Sequence, residues 1–157
     1  MPQSRMLQNI TVSVAPATEQ GRLYPRYAED VGLLVMESRV ARPWPFGVDI
    51  DGRVVFDIDE NRILSNVDLH IPRARWKRDL GEDVPAIAPP GDLIFSQEAI
   101  KAKSFSLPLR VRADPGLRRV CIEFGTQPPN RAIALSGSCI ALLSGTELVG
   151  FAIKSPT

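Results

Sequence analysis

Fourteen prolines stand in this chain of 157 residues, and most fall between apolar runs. Proline fixes φ and removes a backbone donor, so it interrupts long helices and central strands alike. A chain divided this often by Pro and Gly favours short strands joined by turns.

The apolar residues between these breaks follow a period of two. Ile10, Val12 and Val14 alternate with Thr11 and Ser13, and Gly32–Val40 reads as a second strand. Residues 15–30, with Pro16, Gly21 and Pro25, read as a long connection. Phe105, Leu107, Leu109 and Val111 predict one strand, and Val120, Ile122 and Phe124 another. Asp92–Phe95 suits a short strand, and Ser96 can cap one or two helical turns running to Lys103.

A three-stranded meander over residues 44–71 is the clearest local pattern. Opposed residues of an antiparallel ladder share a face, so only some registers unite the apolar sets. A turn at Glu60-Asn61 pairs Ile58 with Ile63 and Val54 with Val67. A loop at Ile50-Asp51-Gly52, with Gly52 left-handed, pairs Asp49 with Arg53 and Val48 with Val54. This register sets Asp49, Arg53 and Asp68 in one row across three strands.

Beyond the meander, residues 72–79 (PRARWKRD) are basic and 80–91 form a Pro-rich connection between two sheets. Segments 131–135, 139–143 and 147–153 are separated by the turn pairs Ser136-Gly137 and Ser144-Gly145. Their strands are apolar on both faces, which implies cover on both sides, from the rest of the domain or from a second subunit. The expected fold is all-β and mainly antiparallel: a two-sheet sandwich or partly open barrel in one domain over 1–157. At most one or two short helices and a flexible N-terminus of about eight residues complete it.

Lys and Arg number 19 against 18 Asp and Glu, so no global field recruits nucleic acid or an acidic membrane. No stretch approaches the roughly 18 apolar residues of a spanning helix. The first ten residues carry no long apolar run of the kind a secretory signal needs. Two cysteines, Cys121 and Cys139, are too few for a disulfide framework, which fits a cytoplasmic location.

Each candidate site meets a structural alternative. Asp57-x-Asp59-x-Asn61 with Asp68 at position twelve mimics a calcium loop, yet position six is Arg62 rather than Gly and the flanks read as strands. Cross-strand ion pairs account for these carboxylates instead, and no metal is expected. His70, the only histidine, shares a strand face with Asp68, but no GxSxG elbow accompanies it. The polar edge around Asp51, Asp68 and His70 is a candidate small-molecule-binding or hydrolytic site. Arg73, Arg75 and Trp76, within Arg73–Arg78, form a second: cations for phosphates and an aromatic for stacking. Near-zero net charge argues against nucleic acid there, with Trp76 as a core anchor the alternative. GxGxxG and GxxxxGK[ST] are both absent, so no cofactor is expected.

With no catalytic motif, the sequence favours a non-catalytic protein-interaction or structural domain over an enzyme. Its expected partner is another protein or a second copy, met through strands 131–153.

Overall fold

Alternating apolar residues become strands in two mainly antiparallel sheets packed face to face, as the computed structural model shows. It describes residues 9–80, 88–125 and 127–154; the expected flexible start at 1–8 lies outside them. The strands are β1 (Val12–Ala15), β2 (Tyr24–Ala28), β3 (Leu33–Glu37), β4 (Phe46–Ile50), β5 (Val54–Ile58), β6 (Leu64–Leu69), β7 (Asp92–Phe95), β8 (Ser104–Phe105), β9 (Leu109–Ala113), β10 (Arg119–Phe124), β11 (Arg131–Ala134), β12 (Cys139–Ser144) and β13 (Glu147–Lys154). One sheet runs β2-β3-β6-β5-β4-β8 and the other β11-β12-β13-β10-β9. The fold is an all-β sandwich and is not closed into a barrel.

Aromatic rings from both sheets join the layers. Phe56 of β5 lies 6.1 Å from Phe124 of β10 and 6.2 Å from Phe151 of β13, centroid to centroid. Phe95 of β7 closes on Phe56 at 5.4 Å. A separate ribbon, β1 with β7, straps one side of the sandwich. It touches the six-stranded sheet through Ile63 and Ile94 and the five-stranded sheet through Thr11 and Glu147. The one α-helix among the described residues, α1 (Gln97–Ala102), starts where expected: Ser96 Oγ accepts the Ala99 N–H at 3.1 Å.

The meander forms with the expected buried face, but both registers slip by two residues. Val48 pairs with Phe56, Ile50 with Val54, Phe56 with Val67 and Val54 with Leu69. A two-residue slip returns each side chain to the same face, so the apolar pattern cannot distinguish the alternatives. The turn chemistry decides instead. Asp51 and Gly52 both adopt positive φ, 52° and 70°, and the Arg53 N–H closes on the Ile50 carbonyl at 2.9 Å. Arg53 therefore sits in the turn, not in the ladder. The expected row Asp49–Arg53–Asp68 is replaced by Asp49–Val55–Asp68.

Two further expectations need correction. Residues 24–28, read as part of a connection, form β2; Pro25 is tolerated because β2 lies at a sheet edge and needs donors on one side only. The expected strand Phe105–Val111 is split, with Pro108 between its halves. Phe105 belongs to β8 beside β4, whereas Leu109 starts β9 in the other sheet. Of the Pro-rich connection 80–91, residues 81–87 lie outside the described residues. Its described ends bind opposite edges of one sheet: Leu80 N–H donates to Ala113 of β9, and the Ala134 N–H of β11 donates to Pro89.

That placement bears on the doubly apolar C-terminal strands. On the outer face of the five-stranded sheet, Cys121, Ile140, Leu142, Val149 and Ala152 form a second apolar cluster, packed against Leu80, Ala88 and Ala132. None is more than 8% exposed. The cover comes from the chain itself, the first of the two alternatives the sequence left open.

Candidate functional site

Three segments far apart in sequence, around Arg53, His70–Lys77 and Leu109–Val111, converge beside the open end of β5 and β6. His70 follows Leu69, the last residue of β6, and its backbone N–H donates to the Arg53 carbonyl at 2.7 Å. The chain then enters a 3-10 turn, Arg73–Arg75, which the buried Trp76 fixes in place. Trp76 Nε1 donates to the Ile71 carbonyl at 2.9 Å, and its ring meets Tyr27 edge-on at 5.9 Å. Next, Lys77 is clamped along β9: its N–H donates to Val111 at 3.0 Å, and its carbonyl accepts from Ala113 at 2.7 Å.

The result is a cleft of about 190 Å³ lined by Arg53, His70, Arg75, Lys77 and Arg110, with Ile71, Leu109 and Val111 as apolar walls. Four basic side chains and the only histidine thus face one space, and among the described residues no carboxylate lines it. Arg110 is paired with Glu123 at 2.8 Å. Among the described residues, Arg53, Arg75 and Lys77 have no ion-pair partner. Like charges held together without a counter-charge repel, and an anion in their midst relieves that repulsion.

The candidates named from sequence separate in the structure. His70 and Arg75 line the cleft, but Asp51 and Asp68 do not. Asp51 occupies the β4–β5 turn, where its N–H donates to Phe105 at 3.0 Å. Asp68 lies on the outer sheet face and shares the Asn66 side-chain amide with Asp57, at 3.0 Å each. Arg73 turns away: it stacks on Tyr27 at 3.7 Å and pairs with Glu29 at 3.6 Å. Trp76 is 4% exposed and cannot stack on a base. Its role is the core anchor.

The apparent calcium loop is also resolved into structure. Asp59 is fully buried, with Oδ1 accepting the N–H groups of Asn61 (2.8 Å) and Ile63 (2.9 Å) and Oδ2 facing the Arg42 guanidinium. Its carboxylate is committed to closing the β5–β6 turn. Among the described residues no group of three or more metal-ligating side chains converges. Both thiols are buried, which pushes each up to about 12, and they are poor nucleophiles at neutral pH.

Arg53 and Arg110 are the cleft residues that sequence reading does not assign to a site, whereas Lys77 belongs to the candidate basic segment Arg73–Arg78. Arg53 reaches His70 through the β5–β6 ladder, where the sequence pattern gives it a cross-strand ion-pair role, and only the packing of β9 beside the 3-10 turn brings Arg110 there.

Among the described residues no helix is long and apolar enough to cross a membrane. No protein-family model matches the chain, and no curated protein sequence does either.

Proposed function

We propose that this protein is a non-catalytic recognition domain whose working surface is the cationic cleft at His70, and that it binds an anionic partner. One observation carries the reading: Arg53, Arg75, Lys77 and Arg110 converge with His70 on one cavity that no carboxylate among the described residues lines. Charge-assisted hydrogen bonds to an anion contribute more than neutral ones, and arginine forks suit phosphate and carboxylate in particular. Catalysis finds less support. Among the described residues His70 has no carboxylate beside it in the cleft to orient it, and both cysteines lie in apolar clusters.

Self-association through strands 131–153, the surface favoured from sequence, has lost its motive. A stable interface buries roughly 800 Å² on each partner, and the outward apolar residues of these strands are already covered by their own chain. The reading keeps a reducing, cytoplasmic setting, which two unbridged thiols suit.

The test is retention on a polyanion column across a salt gradient. Arg75→Ala with Lys77→Ala should elute at clearly lower salt than the parent chain, because each lost contact lowers the salt dependence. Identical elution of both proteins overturns the reading.

A further inference from the structure

We infer that the cleft takes the terminal phosphate of a small phosphomonoester, rather than a length of polyanion backbone. This rests on the anion-binding reading above and narrows it. Size is the first argument. The cavity of about 190 Å³ falls below the roughly 300–1,000 Å³ of pockets for drug-sized ligands. It admits one compact head group.

Arrangement is the second argument. A polyanion needs cations along a groove and aromatic faces for its bases. Here the cations line one small cavity, arriving from the β4–β5 turn (Arg53), the 3-10 turn and the residues just after it (Arg75, Lys77) and β9 (Arg110). Two neighbouring basic residues are already neutralised: Arg73 by Glu29 at 3.6 Å, and Arg112 by Asp79 at 3.0 Å and Glu123 at 3.8 Å. A backbone running out of the cleft toward either side would meet these carboxylates, and Trp76 offers no stacking surface. A terminal monoester escapes both penalties and presents more charge at one point than a diester does.

The walls supply the third argument. Ile71, Leu109 and Val111 stand beside the cations, and Val111 is buried. They suit an apolar carbon body attached to the phosphate and lower the local dielectric around it, which strengthens the charge contacts. Phenyl phosphate has both parts and is the probe of choice.

Calorimetry on the full chain would compare phenyl phosphate, inorganic phosphate, phenol and an oligothymidylate. Phenyl phosphate should bind about tenfold tighter than inorganic phosphate, and phenol should not bind. Arg75→Ala and Lys77→Ala should each weaken it by about tenfold, whereas Arg118→Ala, at a side chain 83% exposed in the 113–119 turn, should leave it unchanged. A phosphotyrosyl peptide that binds as tightly as phenyl phosphate assigns the head group to a protein side chain; weaker binding assigns it to a free small molecule. If the oligothymidylate binds through Arg75 and Lys77 while phenyl phosphate neither binds nor competes, this inference fails and the anion-binding reading stands. If nothing binds, both fail.

Discussion

The backbone N–H of His70 donates to the carbonyl of Arg53 at 2.7 Å, tying the end of β6 to the turn between β4 and β5. Because main-chain atoms make the tie, both side chains are left to the cleft. Arg53→Ala and His70→Gln should each leave stability within about 0.5 kcal/mol, as exposed positions usually do. Gly52→Ala should behave differently. Its φ of +70° disfavours any Cβ, although nothing lies within 4 Å of where one would stand. The cost is conformational, about 1 kcal/mol by urea unfolding. A Gly52→Ala protein as stable as the parent would mean that the turn relaxes.

Asp59 should be the most costly carboxylate to remove. Truncation to Ala leaves two backbone donors unpaired and strands the Arg42 guanidinium, whose side chain is 17% exposed. Breaking a buried pair from one side costs about 3–5 kcal/mol. Asp59→Asn keeps an acceptor for Asn61 and Ile63 and should cost less. Millimolar calcium should not raise the melting temperature, since a ligand stabilises only what it binds. A calcium-dependent rise would restore the metal-site reading that the buried ion pair displaces.

These two turns also explain how much could be read from the chain. Alternation fixed the buried face of Val48, Val54, Phe56 and Val67, because a period of two has only two outcomes. It could not fix the register, since a slip of two residues is invisible to it, and the bulge between Asp57 and Ile58 shifts the pairing further. The strand Tyr24–Ala28 escaped notice because an edge strand tolerates the polarity and proline that mark a loop. The C-terminal strands were legible because Ser-Gly turns bracket long apolar runs. The cleft was legible only in its parts. His70 and Arg75 attract attention in sequence, and Arg53 joins His70 through the β5–β6 ladder, but the meeting with Arg110 depends on Lys77 pairing along β9, a tertiary event with no local signature.

Two aspartates should respond to acid in opposite senses. The Arg119 N–H donates to Asp114 at 2.6 Å and holds its carboxyl below the usual value of 3.8, with Arg118 adding to the effect. A depressed folded value contributes stability that is complete above 3.8 and is lost as pH falls through the folded value. Asp57 is raised, chiefly by burial against the opposing hydrogen bond from Asn66, with the Asp68 charge adding to the rise. Its contribution has the other sign: stability is lost as pH rises through the folded value and recovered toward 3.8. Asp57→Asn should therefore be more stable than the parent at pH 7, the gain shrinking near pH 4. Asp114→Asn should be less stable at pH 7 and lose less on acidification. Urea unfolding at both pH values checks the signs, and a loss for Asp57→Asn at pH 7 would contradict them.

The cysteines offer a measure of how the two faces of the five-stranded sheet open. Cys139 pairs with Ile153 and Cys121 with Ala152, so the thiols point to opposite faces and cannot bridge. Cys139 lies in the main core, its Sγ 3.6 Å from Met36 Sδ. Cys121 lies in the outer cluster, against which only Leu80, Ala88 and Ala132 pack among the partly buried apolar neighbours described. Exposing Cys139 requires the sheets to part, which is global unfolding, whereas exposing Cys121 requires only its outer cover to lift. Local openings of this kind need less free energy than the global event. An aromatic disulfide reagent at pH 8 should find no thiol at once in the folded protein and two in denaturant. Over hours it should label Cys121 before Cys139, as Cys121→Ser and Cys139→Ser would identify. Labelling of both at one rate would show that the outer cover and the main core open together.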